Sequence, residues 1–171
     1  MQDLLQLDLG DYLPYLVNRV GAIIAEQFAA EALAPHGLSI AMWRVMAVLS
    51  SRGAQRQIDL AVLTSIEAST LSRLVTRLVR AGLATRARSA KSNREVAVKL
   101  SSKGSALAAR LVPIARDYQK AAIAGIPAAE LDVIKRGLRR MYANMKARPA
   151  ASGGSGALMP RDNLCPDRSR P

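Results

Sequence analysis

The side chains in this chain best equipped for chemistry are hydroxyls and guanidiniums, and they fall on one helical face. In "EASTLSRLVTRLVRAGLATR", Glu67 to Arg86, a 100° advance per residue gathers Leu71, Leu74, Val75, Leu78 and Val79 on one side. Ser69, Ser72, Arg73, Thr76, Arg77 and Arg80 collect almost opposite, with Thr70 on the flank. The wet face of an amphipathic helix usually mixes acids with bases, but here no carboxylate occurs between Ser69 and Arg94. Guanidiniums grip phosphate oxygens through charge-assisted hydrogen bonds, and hydroxyls add neutral donors and acceptors. Such a surface suits a polyanion.

The rest of the inventory is poor in catalytic groups. There is one histidine, His36, and one cysteine, Cys165. With no glycine-rich phosphate loop and no nucleophile–base set, neither an enzyme nor a metal or other cofactor is expected. A lone cysteine makes no internal disulfide and no thiolate cluster, so a zinc finger is excluded and the cytoplasm is the default address. Asp3, Asp8 and Asp11, with no early basic residue, argue against a signal peptide. No run approaches the ~18 apolar residues of a membrane span, so no membrane partner is expected. The net charge of +12 is unevenly placed: residues 1–38 hold five acids and one base, residues 69–104 nine bases and one acid. That asymmetry is an electrostatic footprint for nucleic acid.

The elements that must position these groups are legible from periodicity. Half of the chain is hydrophobic but only 4% aromatic, so an aliphatic, mainly helical core is expected. "GDYLPYLVNRVGAIIAEQFAAEALAPHG", Gly10 to Gly37, predicts one helix of more than 20 residues, with Pro14 in its first turn and Pro35 and Gly37 at its end. Its apolar arc is wide enough for more than one partner surface. Ser39 caps a helix from Ile40 with Gly53 as its stop. A short helix follows around Ile58–Leu63, then a turn over Thr64–Glu67, then the basic helix 69–81, ended at Gly82. The period next changes to two: "LATRAR" and "EVAVKLS" read as antiparallel strands joined by "SAKSN". Two more helices are expected, about Ser105–Ala124 with Pro113 inside, and Ala128–Lys146. The Pro-, Gly- and Ser-rich stretch 149–171 should be disordered.

Helix, short helix, tight turn, basic helix and two-stranded ribbon together make a helix-turn-helix followed by a wing. An α-helix fits the major groove of B-DNA, and a ribbon carrying Lys91 and Arg94 can reach the neighbouring minor groove. The arrangement resembles the MarR-type winged-helix transcriptional regulators. "HGLSIAMWRVMAVLSSRG", "QIDLAVLTSIEASTLSRLVTRLVRAGLATR" and "SNREVAVKLSSKG" carry the likeness, which spans about Gly10 to Lys146. Two departures are visible. Ser92 stands where the family's wing has an aspartate that braces the arginine, and Ser101-Ser102 stands where a Leu-Thr pair opens the next helix.

The resemblance implies a mainly α fold with a small β-ribbon. Residues 1–38 and 105–148 would form an all-α dimerisation domain around a winged helix-turn-helix lobe, 39–104. It implies a homodimer that reads a pseudo-palindromic stretch of double-stranded DNA, helix 69–81 in the major groove and wing 84–100 at the minor groove, most simply as a repressor. Ser69, Thr70, Ser72, Arg73, Thr76 and Arg77 match the recognition-helix positions; Arg86 and Arg88 are expected on phosphates, and Lys91 and Arg94 at the wing tip. A small aromatic or anionic effector is expected where the dimerisation helices meet the DNA-binding lobe, with Tyr15, Arg19, His36 and Trp43 as candidates by position. The rival reading is a general nucleoid-type or structural DNA binder without an effector.

Overall fold

The computed structural model describes residues 7–89 and 92–148. The element order is α1 (Leu13–Phe28), α2 (Ile40–Arg52), β1 (Gln55–Arg56), α3 (Gln57–Thr64), α4 (Ala68–Arg80), β2 (Ala84–Ser89), β3 (Ser92–Leu100), α5 (Ser102–Ala122) and α6 (Ala128–Ala147). The chain divides into two compact units, one up to Gly125 and one from Ile126. No single helix among the described residues is long and apolar enough to cross a membrane. The expected disordered tail, 149–171, lies outside the described residues.

The single long N-terminal helix expected from periodicity is three pieces. The α-helical part ends at Phe28, the next turn, Ala29–Leu33, widens to π-helical hydrogen bonding, and Ala34–His36 tightens to a 3-10 turn. Pro35 supplies the reason for the ending, since it has no N–H to give to the Glu31 carbonyl and its ring would collide with that group. The chain leaves through Gly37 at φ +63°, where a left-handed residue is required. The widened turn leaves Phe28, Ala32 and Leu33 all buried.

α2, α3, the strands and α5 build the lobe that holds the basic helix. Ser39 caps α2, accepting a hydrogen bond from the Met42 N–H at 3.2 Å. α2 buries Met42, Val45, Met46 and Leu49. Val45, Met46, Leu60, Leu71, Val75, Leu78, Val98 and Leu111 are fully sequestered, which joins α2 to α5 and β3 in one aliphatic core. α3 ends with Ser65 in the left-handed region, φ +54°, and the Ile66 N–H reaches back to the Ala61 carbonyl at 3.1 Å. That is the tight turn between α3 and α4 expected over Thr64–Glu67.

The sheet has three strands in the order β1-β3-β2, all antiparallel. The ribbon follows the expectation; β1 is an addition to it, because two residues carry no readable period. It pairs Gln55 with Val98 and Arg56 with Ala97. The ribbon's phase also differs from the alternation in "LATRAR". Leu83 belongs to the turn, and the buried strand residue is Ala84. Ala84 faces Leu100 and Arg86 faces Val98, so Arg86 shares the inward face of the sheet. The strands reach Ser89 and start again at Ser92, further into "SAKSN" than expected.

The exit from the basic helix is closely built. Gly82, at φ +70°, donates to the Val79 carbonyl and the Leu83 N–H donates to the Leu78 carbonyl, both at 2.9 Å, a Schellman closure. α5 then starts against this cap. The Ser101 hydroxyl donates to the Gly82 carbonyl at 2.6 Å and accepts from the Gly104 N–H at 3.0 Å. A Cβ on Gly104 would lie 1.9 Å from the Leu83 carbonyl oxygen, so only glycine permits the approach. Leu100-Ser101, not Ser101-Ser102, therefore occupies the Leu-Thr position: serine does the capping that threonine would do. α5 runs through Pro113 without a break.

Candidate nucleic-acid interface

α4 is 13 residues long, about 20 Å at 1.5 Å per residue. Leu71, Leu74, Val75 and Leu78 are buried, while Ser69, Thr70, Ser72, Arg73, Arg77 and Arg80 are largely open to solvent. The lobe therefore holds the helix by its apolar stripe and presents the hydroxyls and guanidiniums outward, as the periodicity predicts. Arg73, Arg77 and Arg80 follow one another at spacings of four and three, a line of positive charge along the exposed face.

Thr76 is set apart from its neighbours. It is half-buried, its hydroxyl donates to the Ser72 carbonyl at 2.9 Å, and it accepts from Arg86 Nη2 at 2.8 Å. Arg86, from β2, thus ties the ribbon to the exposed helix, and this follows from its place on the inward face of the sheet. Arg86 as a residue stays exposed. Lys91 and the side chains of Arg88 and Arg94 lie outside the described residues.

The leading end of α4 carries a group that sequence reasoning leaves in the turn. Glu67 is its N-cap. One carboxylate oxygen accepts from the Ser69 N–H at 2.9 Å, the Thr70 N–H at 3.1 Å and the Ser69 hydroxyl; the other accepts from the same Ser69 N–H at 3.0 Å. The Ser69 hydroxyl and the two N–H donors hold this carboxyl down to about 2, with a further contribution from the positive charge of Arg73. Glutamate is not among the residues that usually announce a helix start, so composition gives no signal.

The effector candidates are scattered. Tyr15 and Arg19 are exposed on α1, and His36 is exposed in the 3-10 turn. Trp43 is half-buried and packs on the core, its ring 5.5 Å from that of Phe28 in an edge-on contact. Phe28 in turn meets Tyr118 of α5 at 5.6 Å. Two adjoining hollows lie beside Tyr118. One, of about 350 Å³, is lined by Gln27, Glu31, Ile114, Asp117, Tyr118 and Ala121. The other, of about 340 Å³, lies between Val20, Ile23 and Ile24 of α1 and Ala121 and Ala122 of α5. The Tyr118 hydroxyl donates to Glu31, and this bond raises the phenol above its ordinary value. None of the four candidates lines either hollow; Trp43 is linked to Tyr118 through the ring of Phe28. Tyr118 escapes a reading of the sequence because its partner Glu31 lies 87 residues away along the chain.

Comparison with known proteins agrees with this geometry. The MarR family model matches residues 38–96, from the start of α2 into β3. A MarR-family transcriptional regulator from Silicibacter pomeroyi is 31% identical, covering 84% of this chain and 96% of its own, with a TM-score of 0.72. The chain belongs to the MarR family. An HTH-type transcriptional repressor of Mycobacterium tuberculosis is 29% identical over 129 residues, 75% of this chain and 92% of that protein. The fold is shared as well with Bordetella bronchiseptica BpsR, whose DNA binding is regulated by 6-hydroxynicotinic acid: 24% identity, 77% of this chain, 99% of that one, TM-score 0.67. As a MarR-family member the chain is a DNA-binding transcriptional regulator, and its mainly α, winged-helix architecture is that of its relatives.

Proposed function

We propose that this MarR-family chain acts in the cytoplasm, without catalysis, as a homodimeric repressor that places α4 in the major groove of a pseudo-palindromic operator and leaves it when a small effector binds. One observation carries the reading: α4 is buried along Leu71, Leu74, Val75 and Leu78 and bare along Ser72, Arg73, Arg77 and Arg80. Hydroxyls and guanidiniums held on a rigid rod suit base edges and phosphates together. Arg73 and Arg77 are assigned to bases or phosphates, with Ser69, Thr70 and Ser72 beside them. Arg86, Arg88, Lys91 and Arg94 belong to phosphate and minor-groove contacts of the ribbon, and Thr76 with Arg86 sets the angle between ribbon and helix.

The dimer reading is supported by apolar side chains left open to solvent. On α1 these include Leu13, Leu16, Val20 and Ile23; on α6 they include Val133, Ile134, Leu138 and Met145. Apolar faces of this extent call for a protein partner, and a second copy would set two α4 helices about one DNA turn, roughly 10 bp, apart. Repression is supported by the mycobacterial relatives, which are transcriptional repressors. The effector site is assigned to the hollows beside Tyr118, with Phe28 and Trp43 as the aromatic wall behind them.

The test is a footprint on the DNA flanking the gene, with affinity measured against random duplex at matched salt and repeated with phenolic and carboxylate ligands. A protected two-fold site, bound far more tightly than random duplex and released by one of the ligands, is the expected result. Equal affinity for both duplexes would favour the nucleoid-type alternative.

A further inference from the structure

Glu67 is exposed at the N-terminal end of α4, and the proposed function gives it no part in recognition. It is the only acid between Asp59 and Glu95, and its side chain lies over the first turn of the helix that the lobe presents outward. A helix start usually turns its free N–H groups toward an anion, and for a DNA-binding helix the anion at hand is a backbone phosphate. Here the chain supplies its own anion, and a phosphate brought to the same place would meet a like charge. An acid thus caps the start of α4, its carboxylate held at the Ser69 and Thr70 amides, and Arg73, Arg77 and Arg80 follow along the exposed face.

The carboxylate is not saturated. One oxygen takes three donors, whereas the other shares only the Ser69 N–H and keeps a lone pair for a donor from outside. In the major groove the donors are the exocyclic amino groups of cytosine and adenine; guanine and thymine present only acceptors and a methyl there. Carboxylates pair characteristically with cytosine N4. We propose that Glu67 is a specificity-determining residue: it keeps the leading end of α4 off the phosphate backbone and sets it against a cytosine amino group in each half-site. The inference rests on α4 being the helix that enters the groove.

The experiment selects bound sequences from randomised duplexes with the full chain, its Glu67→Ser variant and its Glu67→Gln variant. Serine still caps a helix but carries no charge, and thermal melts of each variant verify the fold. The expected result is a cytosine at one position of each wild-type half-site, with discrimination there reduced about tenfold or more in the serine variant. Binding of the serine variant to random duplex should also strengthen, its salt slope steeper by about one per subunit as a phosphate is admitted. Identical preferences and slopes in wild type and serine variant would overturn the inference alone. A wild-type chain that selects no sequence would overturn the reading of α4, and the inference with it.

Discussion

Single residues at the two ends of α4 control how it is held. Glycine at 104 is imposed by the Leu83 carbonyl, 1.9 Å from where a Cβ would stand. Gly104→Ala should therefore cost stability at the upper end of about 1–3 kcal/mol, read as a lowered denaturant midpoint with an unchanged slope. At the other end, the Glu67 carboxyl is held down to about 2 from an ordinary 4.5. A depressed carboxyl contributes stability above its unfolded value and loses it as pH falls toward its folded value. The melting temperature of the wild type should exceed that of Glu67→Gln above pH 4.5, and the gap should close as pH approaches 2. A gap constant across that range would show that the cap is not charged-carboxylate in origin. On the exposed face, Arg73→Ala and Arg77→Ala separate two roles by titration of affinity against salt. Loss of a phosphate contact reduces the salt slope by about one, and loss of a base contact costs about 1–3 kcal/mol and relaxes the sequence preference.

At the scale of elements, α4 is the most legible part of the chain because its two faces differ so sharply in chemistry. Leu78 is fully buried and Arg77 beside it is exposed. Leu78→Ala should destabilise the fold by about 2–5 kcal/mol, whereas Arg77→Ala should leave stability within about 0.5 kcal/mol while impairing DNA binding. Thermal melts of the two variants side by side make the comparison. The antiparallel ribbon and the helices over residues 102–122 and 128–147 are also legible, since each has a period, and the turn after α3 is legible from the small polar Thr64 and Ser65 between two apolar stretches. Other features are not. β1 is too short to have a period, and the widening after Phe28 depends on how Ala32 and Leu33 are buried, which a helical wheel does not register. Among site residues, Ser69, Ser72, Arg73 and Arg77 stand out by helical spacing. The bonds of Thr76 to Arg86, and of Tyr118 to Glu31, join segments whose proximity exists only in the fold.

The whole molecule is charge-segregated along its sequence: acidic over residues 1–38 and basic over 69–104. In the proposed complex the basic segment, not the acidic one, would meet the DNA. Val20, 55% exposed on α1, is the place to test the proposed dimer. Val20→Glu would bury a charge in an apolar contact, which is strongly unfavourable. Sedimentation should show a dimer for the wild type and a monomer for the variant, with operator affinity falling sharply as the second α4 is lost. A wild-type chain that sediments as a monomer would remove the two-fold reading altogether.

One junction links these scales mechanically. The Ser101 side chain joins the carbonyl that closes α4 to the amide that opens α5, and Lys103 adds a bond to the Ala81 carbonyl at 3.2 Å. α5 then continues to Ile114 and Tyr118, so the helix that walls the hollows is bolted to the tail of α4. If an effector settles beside Tyr118 as proposed, a swing of α5 by a few degrees would be carried through the unbroken helix to the tail of α4 and tilt its arginines.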